Sequence, residues 1–321
     1  MNYFLYKLSF TSPVHFGLSD SALSLYTSGE SFRGDRLFSA LCHSALSLGG
    51  EKRLETLLNS VKSGELLLSD AMPYRGENLY LPKPYINAEK NKEVPSELRK
   101  KIKKLKWISV KDFEYFSSCV KSGDIFDPDD EQSFGNSSEQ IKVSLYEDGA
   151  PYSVGTFSFK KDCGLYFIAA IKEKSMEKEI NKLLYALGFS GIGGKVSSGY
   201  GKFYVDDTIL LNENFDFQTE WLFNSLENKE SKQHMLITTS LPKEDEMDKA
   251  LENAWFQLVR CSGFVGSEKY SKTPLKKRTQ YFLDSGSVLE NTFQGDLYNV
   301  GYSGNHSVYR YGKPIFLGVS L

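Results

Sequence analysis

The stretch from Leu187 to Phe203 concentrates residue types that could hold an anion, since it contains six glycines, two lysines and three serines. Glycine N–H groups can approach a polyanion closely because no side chain stands in the way. The spacing does not match a phosphate loop, because Lys195 is followed by Val196, and Val196 also stands where a dinucleotide-binding fingerprint needs its third glycine. The stretch therefore predicts backbone contacts to a polyanion rather than ATP binding, with a flexible connector as the alternative.

Two flanking elements would position this glycine-rich loop. Apolar residues recur at helical spacing from Met176 to Leu187, which predicts an amphipathic helix that ends with Gly188 in a left-handed C-cap. Residues 202–205 are typical of a strand. The order helix, loop, strand is the reverse of the order in the phosphate loops of NTPases.

Residues that could catalyse a reaction or hold a metal are scattered. None of the four histidines has a partner at metal-ligand spacing, and the four cysteines form no Cys-x-x-Cys pair, so we expect neither a metal nor a cofactor. His43 lies on a predicted helix, where it is either a solvated residue or the general base of a nuclease. Asp35 immediately precedes an apolar helical stripe and is interpreted as its N-cap, with a catalytic aspartate as the alternative.

Composition sets limits on the class of protein. The 321 residues are 40% hydrophobic with a net charge of −2, which argues against a generic nucleic-acid binder, although residues 99–106 and 269–278 are strongly basic. No apolar run approaches the roughly 18–20 residues of a membrane span, and the first residues alternate like a strand rather than forming a signal peptide. We therefore expect a cytoplasmic protein.

The order of elements in residues 1–207 predicts an α+β fold. A strand over 2–10 with one buried face is followed by a helix that Gly49-Gly50 ends and by a short second helix. Strands near 65–68 and 78–81 follow, joined by a turn that contains Pro73 and Gly76. Strands at 140–146, 152–159 and 164–171, the amphipathic helix and a last strand complete the order. This is the order of a ferredoxin-like unit. Residues 82–149 break the pattern and are interpreted as an insertion outside the core. Residues 208–321 predict a second, β-rich unit that includes a helix over 244–257.

Five stretches resemble a known family. The glycine-rich loop resembles the signature of the RAMP superfamily of CRISPR proteins. The other four are His15-Phe16-Gly17 after the first strand, the helix start from Ser31 to Leu41, the segment Leu81-Pro82-Lys83-Pro84, and the ending from Tyr309 to Phe316. In this order, the set resembles the subunit usually numbered four in the type III-A Csm effector complex, which belongs to a Cas-five-like group that binds the 5′ handle.

The resemblance implies a fold, a function and partners. It implies two ferredoxin-like modules that share one RNA-facing surface, and a non-catalytic subunit for antiviral defence that holds the 5′ repeat-derived handle of the CRISPR guide RNA. The implied partners are the large polymerase-type, Cas-ten-like subunit and a backbone RAMP subunit, with target RNA contacted indirectly. The insertion would act as a thumb, because in related RAMP subunits such a hairpin pushes into the guide–target duplex near the handle. The alternative is a metal-independent endoribonuclease that processes the precursor guide.

Candidate RNA-contacting residues combine the loop with the other stretches. Arginines suit phosphate and base-edge contacts, helix N-termini favour anions, and aromatic side chains stack on unpaired bases. Tyr270 and Tyr281 are additional stacking candidates. The predicted RNA-binding residues are His15, Phe16, Gly17, Arg33, Arg36, Gly191, Gly193, Gly194, Lys195, Ser197, Ser198, Gly199, Tyr200, Lys276, Lys277, Arg278, Tyr309, Arg310 and Tyr311.

Overall fold

The computed structural model describes residues 1–18, 22–86, 96–127, 132–143, 149–213, 216–267, 269–271, 273, 275–302 and 304–321. Strands of the first half are β1 (Asn2–Phe10), β2 (Leu66–Leu68), β3 (Met72–Arg75), β4 (Asn78–Pro82), β5 (Trp107–Ser109), β6 (Gly135–Val143), β7 (Pro151–Phe159), β8 (Cys163–Ile171) and β9 (Phe203–Leu210). Strands of the second half are β10 (Gln233–Leu236), β11 (Leu258–Cys261), β12 (Gln280–Leu283), β13 (Val288–Leu289), β14 (Leu297–Asn299), β15 (Tyr309–Tyr311) and β16 (Phe316–Val319). The helices are α1 (Gly34–Lys62), α2 (Ser96–Lys104), α3 (Phe113–Ser122), α4 (Lys174–Ser190), α5 (Phe217–Glu227) and α6 (Met247–Leu251).

The main sheet of the first half has the ferredoxin-like strand order. Its strands follow the order β5-β4-β3-β8-β1-β9, with β2 also paired to β8, and the pairs are antiparallel. The β1-α1-β2/β3 half and the β8-α4-β9 half interlock, because β8 lies between β3 and β1. The α+β class is therefore confirmed, and the strand order of the first half is that of a ferredoxin-like unit. Met72–Arg75 forms a strand where the sequence predicted only a turn.

Strand β1 is buried on both faces, so the prediction of one buried face is wrong. Phe4, Tyr6 and Leu8 pack into the core under the helices, whereas Tyr3 and Leu5 pack into a second core on the opposite side of the sheet. The second half of the chain and α3 cover that side. A strand covered on both faces loses the alternation that marks a half-exposed strand.

Helices α1 and α4 lie side by side on one face of the sheet. Helix α1 contains a break at Gly49 and Gly50, where the φ/ψ angles leave the helical range. This break lies where the sequence predicted that one helix ends and a second begins. Helix α4 continues past Gly188, so the predicted cap at this residue is wrong. Gly188 is buried, and a Cβ there would lie 2.4 Å from the Phe203 carbonyl oxygen. The residue that ends the helix with a positive φ of 90° is Gly191.

Much of the predicted insertion is core, which corrects the sequence interpretation. Strand β5 extends the main sheet through β4, and Phe113, Phe116 and Cys119 of α3 are buried in the second core. Helical and strand segments of three to ten residues around basic and acidic runs carry too little periodicity to be recognised. Strands β6 and β7, whose described part ends at residue 143 and resumes at 149, form a separate two-stranded sheet whose base packs into the first core through Phe157. The predicted strand residues 144–146 lie outside the described residues.

The second half consists of small sheets rather than one continuous sheet. Strands β13, β10 and β16 form a three-stranded sheet, and β11-β12 and β14-β15 form two separate ladders. Helix α5, whose N-terminus is capped by Asp216 in a capping box, was not predicted from the sequence. Of the helix predicted over 244–257, only the five residues of α6 are helical. A second ferredoxin-like module and the division near residue 207 stay predictions. In the described part of the chain, no helix is long and apolar enough to cross a membrane.

Candidate functional site

The glycine-rich loop packs against the segment that follows β1. A Cβ at Gly194 would lie 2.5 Å from the His15 Cδ2 atom, and one at Gly193 would lie 2.8 Å from the His15 carbonyl oxygen and 2.9 Å from the Phe16 ring. The Gly194 N–H donates to the His15 carbonyl oxygen at 2.9 Å. These glycines therefore allow close approach to the protein's own backbone. The outward part of the loop is the exposed turn with Ser197 and Ser198, followed by Gly199.

Five of the predicted contact side chains are buried, which argues against direct contacts through these side chains. His15, Phe16, Tyr200, Arg310 and Tyr311 are each no more than 7% exposed. Side chains that the protein already covers cannot stack on a base, so the aromatic residues among them serve the core. Tyr270, 3% exposed, belongs to a small cluster of its own, whereas Tyr281 is 57% exposed and Tyr309 is half-buried.

The Arg310 guanidinium is held by backbone carbonyl groups. Its Nη1 donates to the carbonyl oxygens of Cys261 at 2.8 Å and Arg278 at 3.1 Å, and its Nη2 donates to that of Ser262 at 3.1 Å. Its Nε lies 3.7 Å from Asp35 Oδ2. Asp35 Oδ1 accepts the Tyr311 N–H, so Asp35 joins α1 to β15 and is not the N-cap that the sequence predicted.

The start of α1 opens onto a cleft of about 590 Å³ between the two halves of the chain. One wall consists of Arg33, Arg36 and Gly17. Lysine and arginine side chains from the predicted insertion and from β11 complete the basic lining. They are Lys83, Lys103, Lys106 and Arg260. The cleft thus gathers six cationic side chains from four separate parts of the chain.

Arg33 and Arg36 make no ion pair within the described residues. Burial, together with the neighbouring charge of Arg33, lowers the pKa of Arg36 to about 10, while Asp35 opposes the shift. The Arg36 guanidinium packs 5.5 Å from the centre of the Phe16 ring. The pKa of Arg33 is raised, because burial, which lowers it, is outweighed by Cys261, Asp70 and other acidic groups. A partly buried guanidinium with no carboxylate partner favours an anionic ligand.

Carboxylates form the floor of the cleft and fasten the two halves together. Asp70 Oδ1 accepts the N–H of Gly34 at 2.7 Å and that of Thr239 at 3.0 Å, and Asp70 Oδ2 accepts the Thr239 hydroxyl at 2.6 Å. The true cap of α1 therefore comes from a residue 36 positions away. Burial raises the pKa of Asp70 to about 6, although these hydrogen bonds oppose the shift. Burial also raises the pKa of Asp284, which accepts a hydrogen bond from the Tyr85 hydroxyl at 3.0 Å.

The basic run near residue 277 lies on the second half of the chain, outside the residues that line the cleft. Lys276 lies 5.8 Å from the centre of the Phe264 ring, and Arg278 lies 5.2 Å from that of Tyr302. Both rings are exposed, so these pairs leave aromatic faces accessible beside positive charge. The pKa of His43 is lowered, mainly by partial burial of the imidazole although the residue is exposed overall, and also by the charge of the nearby Lys277.

The lysines of the cleft rim and Arg260 were not among the predicted site residues. Lys83 lies in one of the five stretches, and Lys103 and Lys106 lie in the basic run 99–106. The sequence therefore showed their charge but not that they line the cleft. Arg260 carries no sequence signal of its own. It faces Tyr281 across the β11-β12 ladder, which continues the basic and aromatic surface away from the cleft.

No group of three or more potential metal ligands occurs among the residues that the structure describes. His15 and His234 are buried, His43 is exposed on α1, and His306 bonds to Ser267.

Comparison with known proteins identifies the family. The family model of the RAMP superfamily matches residues 7–204, and the model of the CRISPR Csm4 C-terminal domain matches residues 229–319. The chain is 33% identical over 328 residues to the CRISPR system Cms protein Csm4 of Mycobacterium tuberculosis, covering 99% of this chain and 98% of that protein. It is 30% identical over 330 residues to the Csm4 protein of Streptococcus thermophilus, covering 100% of both.

Solved structures show the same fold. A Csm3–Csm4 subcomplex of the type III-A CRISPR-Cas interference complex matches with a TM-score of 0.66 at 20% identity, over 99% of each chain. A Csm1–Csm4 cassette in complex with pppApA matches with a TM-score of 0.63 at 19% identity, over 100% of this chain and 99% of that one. Together with the two family models and the curated relatives, these matches confirm the resemblance: the chain belongs to the Csm4 family of the RAMP superfamily.

Proposed function

We propose that this protein is a non-catalytic subunit that holds the 5′ repeat-derived handle of the guide RNA in the cleft beside α1. The observation that carries the proposal is the Arg36 guanidinium, which lines the cleft without a carboxylate partner in the described structure and has a lowered pKa. A phosphate group there would supply the missing negative charge and accept charge-assisted hydrogen bonds. The rim lysines would add contacts that do not depend on base sequence.

The surface beyond the cleft is suited to bind further unpaired nucleotides of the same RNA strand. Arg260 lines the cleft and faces the exposed Tyr281, and Lys276 and Arg278 lie beside exposed rings on the same half of the chain. Alternating positive charge and accessible aromatic faces is the arrangement by which proteins bind unpaired nucleotides. The predicted contacts of Lys276, Lys277 and Arg278 are retained in this proposal.

The partners proposed for this chain follow from its relatives. Structures of family members show a Csm3–Csm4 subcomplex and Csm1–Csm4 cassettes. We propose that this chain likewise joins a large polymerase-type subunit to a backbone RAMP subunit in a type III-A complex. Target RNA would be reached indirectly, through the hairpin of β6 and β7.

Guide binding across a salt series tests the cleft. We expect Arg36→Gln to weaken binding of labelled guide RNA by about tenfold or more, because hydrogen bonds to charged groups are worth about 1.5–3 kcal/mol. The salt slope should fall by about 0.7, the change for one phosphate contact on a single strand. Lys182→Gln, an exposed change on α4 outside the cleft, is the matched control. Unchanged affinity and slope in a folded Arg36→Gln protein would rule out this site.

A metal-independent endoribonuclease is the second candidate, and His43 is the observation that favours it. Its lowered pKa favours the neutral imidazole, which is the form that a general base requires. Labelled repeat RNA incubated with the purified protein in EDTA distinguishes the two functions. The non-catalytic proposal expects intact RNA, whereas site-specific cleavage that disappears in His43→Ala would establish the nuclease.

A further inference from the structure

The hairpin of β6 and β7 presents two different faces. Ile141 and Val143 on one face are 75% and 61% exposed. Lys142 and its cross-strand neighbour Tyr152 are half-buried on the other face, next to the glycine-rich loop. Since a two-stranded ribbon has little stability of its own, the direction of this hairpin must be set by what packs against the second face.

The loop and the hairpin exchange matching contacts. Lys195 of the loop places its Nζ 4.8 Å from the centre of the Tyr152 ring of the hairpin. Lys142 of the hairpin places its Nζ 5.1 Å from the centre of the Tyr200 ring of the loop. The Tyr200 hydroxyl also bonds to Gln140 Oε1. Each element thus supplies one ammonium group and one aromatic ring, which is a reciprocal pair of cation–π contacts.

A chain of hydrogen bonds joins the bases of the two elements. The Gly194 N–H donates to the His15 carbonyl oxygen at 2.9 Å, and His15 Nδ1 donates to the Gly155 carbonyl oxygen at 2.7 Å. Val14 and Phe157 exchange two backbone hydrogen bonds at 2.8 and 2.9 Å. The segment after β1 therefore contacts both the loop and the base of the hairpin. The loop glycines allow this segment to lie close to the loop, and so they contribute indirectly to the position of the hairpin.

We infer that the glycine-rich loop is a positioning element for the hairpin, and that Lys195 and Tyr200 influence RNA through the hairpin rather than by contacting phosphate. This inference goes beyond the proposed guide-binding cleft, because it assigns a separate role to the loop. Only its consequence for target RNA rests on the proposed function. The exposed turn at Ser197 and Ser198 is not part of it.

Amide hydrogen exchange of the RNA-free protein tests the inference. We expect Lys195→Met and Tyr152→Leu each to accelerate exchange of the hairpin amides in 136–142 and 152–158 by about two- to fivefold, the effect of losing one cation–π contact. The double variant should exchange no faster than either single variant, because both remove the same contact. Lys195→Arg should restore protection. Tyr185→Leu, an exposed ring on α4, is the control.

The salt slope of guide binding separates positioning from direct contact. A phosphate contact by Lys195 would make Lys195→Met lower the slope by about 0.7 while Tyr152→Leu leaves it unchanged. Positioning leaves the slope unchanged in both variants. Unaltered hairpin exchange in both single variants, or a slope change confined to Lys195→Met, would overturn the inference. Because exchange is measured without RNA, failure of the Arg36 test would leave this outcome intact, and the two ideas fail separately.

Discussion

The glycine-rich loop and the cleft beside α1 differ in how their conspicuous residues are used. In the loop, Gly193, Gly194 and Gly201 lie so close to His15, Phe16 and Ile192 that no side chain would fit there, so these glycines serve internal packing. In the cleft, Arg33 and Arg36 keep their charge without an ion pair in the described structure. The sequence feature that looks most like an anion site is therefore largely architectural, whereas a less conspicuous pair of arginines carries the unpaired charge.

The comparison teaches that residue type indicates which residues could bind an anion, whereas the surrounding atoms decide whether their charge or backbone remains accessible to one. Arg310 illustrates this within the second half of the chain. It resembles Arg36 in the sequence, since both stand among aromatic and small residues near glycine, but Arg310 is 1% exposed and bonded to three carbonyl oxygens. Four predictions, ordered from the largest expected effect on stability to the smallest, test this division.

Two glycines of the loop should differ sharply in their tolerance of alanine. Gly201 has a φ of 73° and a Cβ there would lie 2.0 Å from the Ile192 carbonyl oxygen, so Gly201→Ala should lower the free energy of unfolding by about 4 kcal/mol or more. Gly199 also has a positive φ, 85°, but within the described residues its Cβ meets no atom within 4 Å. Gly199→Ala should cost only about 1–2 kcal/mol, from backbone strain.

Urea unfolding of both glycine variants provides the measurement. Equal losses of stability would mean that strain alone governs the loop, and the architectural role argued from close packing would be wrong.

Removing the Arg310 side chain should cost about 3–5 kcal/mol, because Arg310→Met leaves three carbonyl groups, one buried and two part-buried, without their donor. Thermal unfolding measures the loss, and guide affinity of the folded fraction should be unchanged. Tyr309→Ala, at a neighbouring half-buried position, is the control. A stable Arg310→Met protein with weak guide binding would place Arg310 with the cleft arginines instead.

Asp70 should make the protein less stable as pH rises. Its folded pKa of about 6 lies above its ordinary value, so the protonated carboxyl contributes stability that is fully present below about pH 4 and is lost as pH rises through 6. A shift of about two units corresponds to about 3 kcal/mol at most. Asp70→Asn should therefore flatten the fall in stability between pH 4 and pH 7.

Urea midpoints at several pH values, compared between the wild type and Asp70→Asn, check this. Parallel curves for the two proteins would show that Asp70 does not titrate in this range. Asp284, whose pKa is also raised, should leave a residual slope in the variant.

Arg36→Leu should change stability least, by about 1 kcal/mol or less in either direction. The substitution loses packing on the Phe16 ring but relieves the burial of a charge beside Arg33. Guide binding should nevertheless weaken as in Arg36→Gln. Denaturant unfolding and guide titration on one preparation measure both effects, and a large loss of stability with normal binding would reverse the assignment.

The order of elements in the first module was predictable because α4 shows helical periodicity and β8 is a continuous run of apolar, strand-forming residues. Asp35 and Asp70 show where prediction ended. Asp35 precedes an apolar stripe, which favours a cap, yet Asp70 supplies the cap from 36 positions away. Tyr311 and Arg310 supply the partners of Asp35. The insertion was misinterpreted for a related reason, since α3 is short and its burial depends on residues such as Trp221 in the second half, 5.0 Å from Phe113 between ring centres.

The sequence by itself determined the family, through five short stretches in order, and the antiparallel sheet with two helices on one face, through spacing that a local window contains. The tertiary structure alone decided which cations remain free. Whether an arginine is neutralised depends on oxygen atoms brought to it from distant positions, such as the carbonyls of Cys261, Ser262 and Arg278 around Arg310. No such group reaches Arg36 in the described part of the chain, and desolvation without compensation is what leaves that side chain suited to an anion.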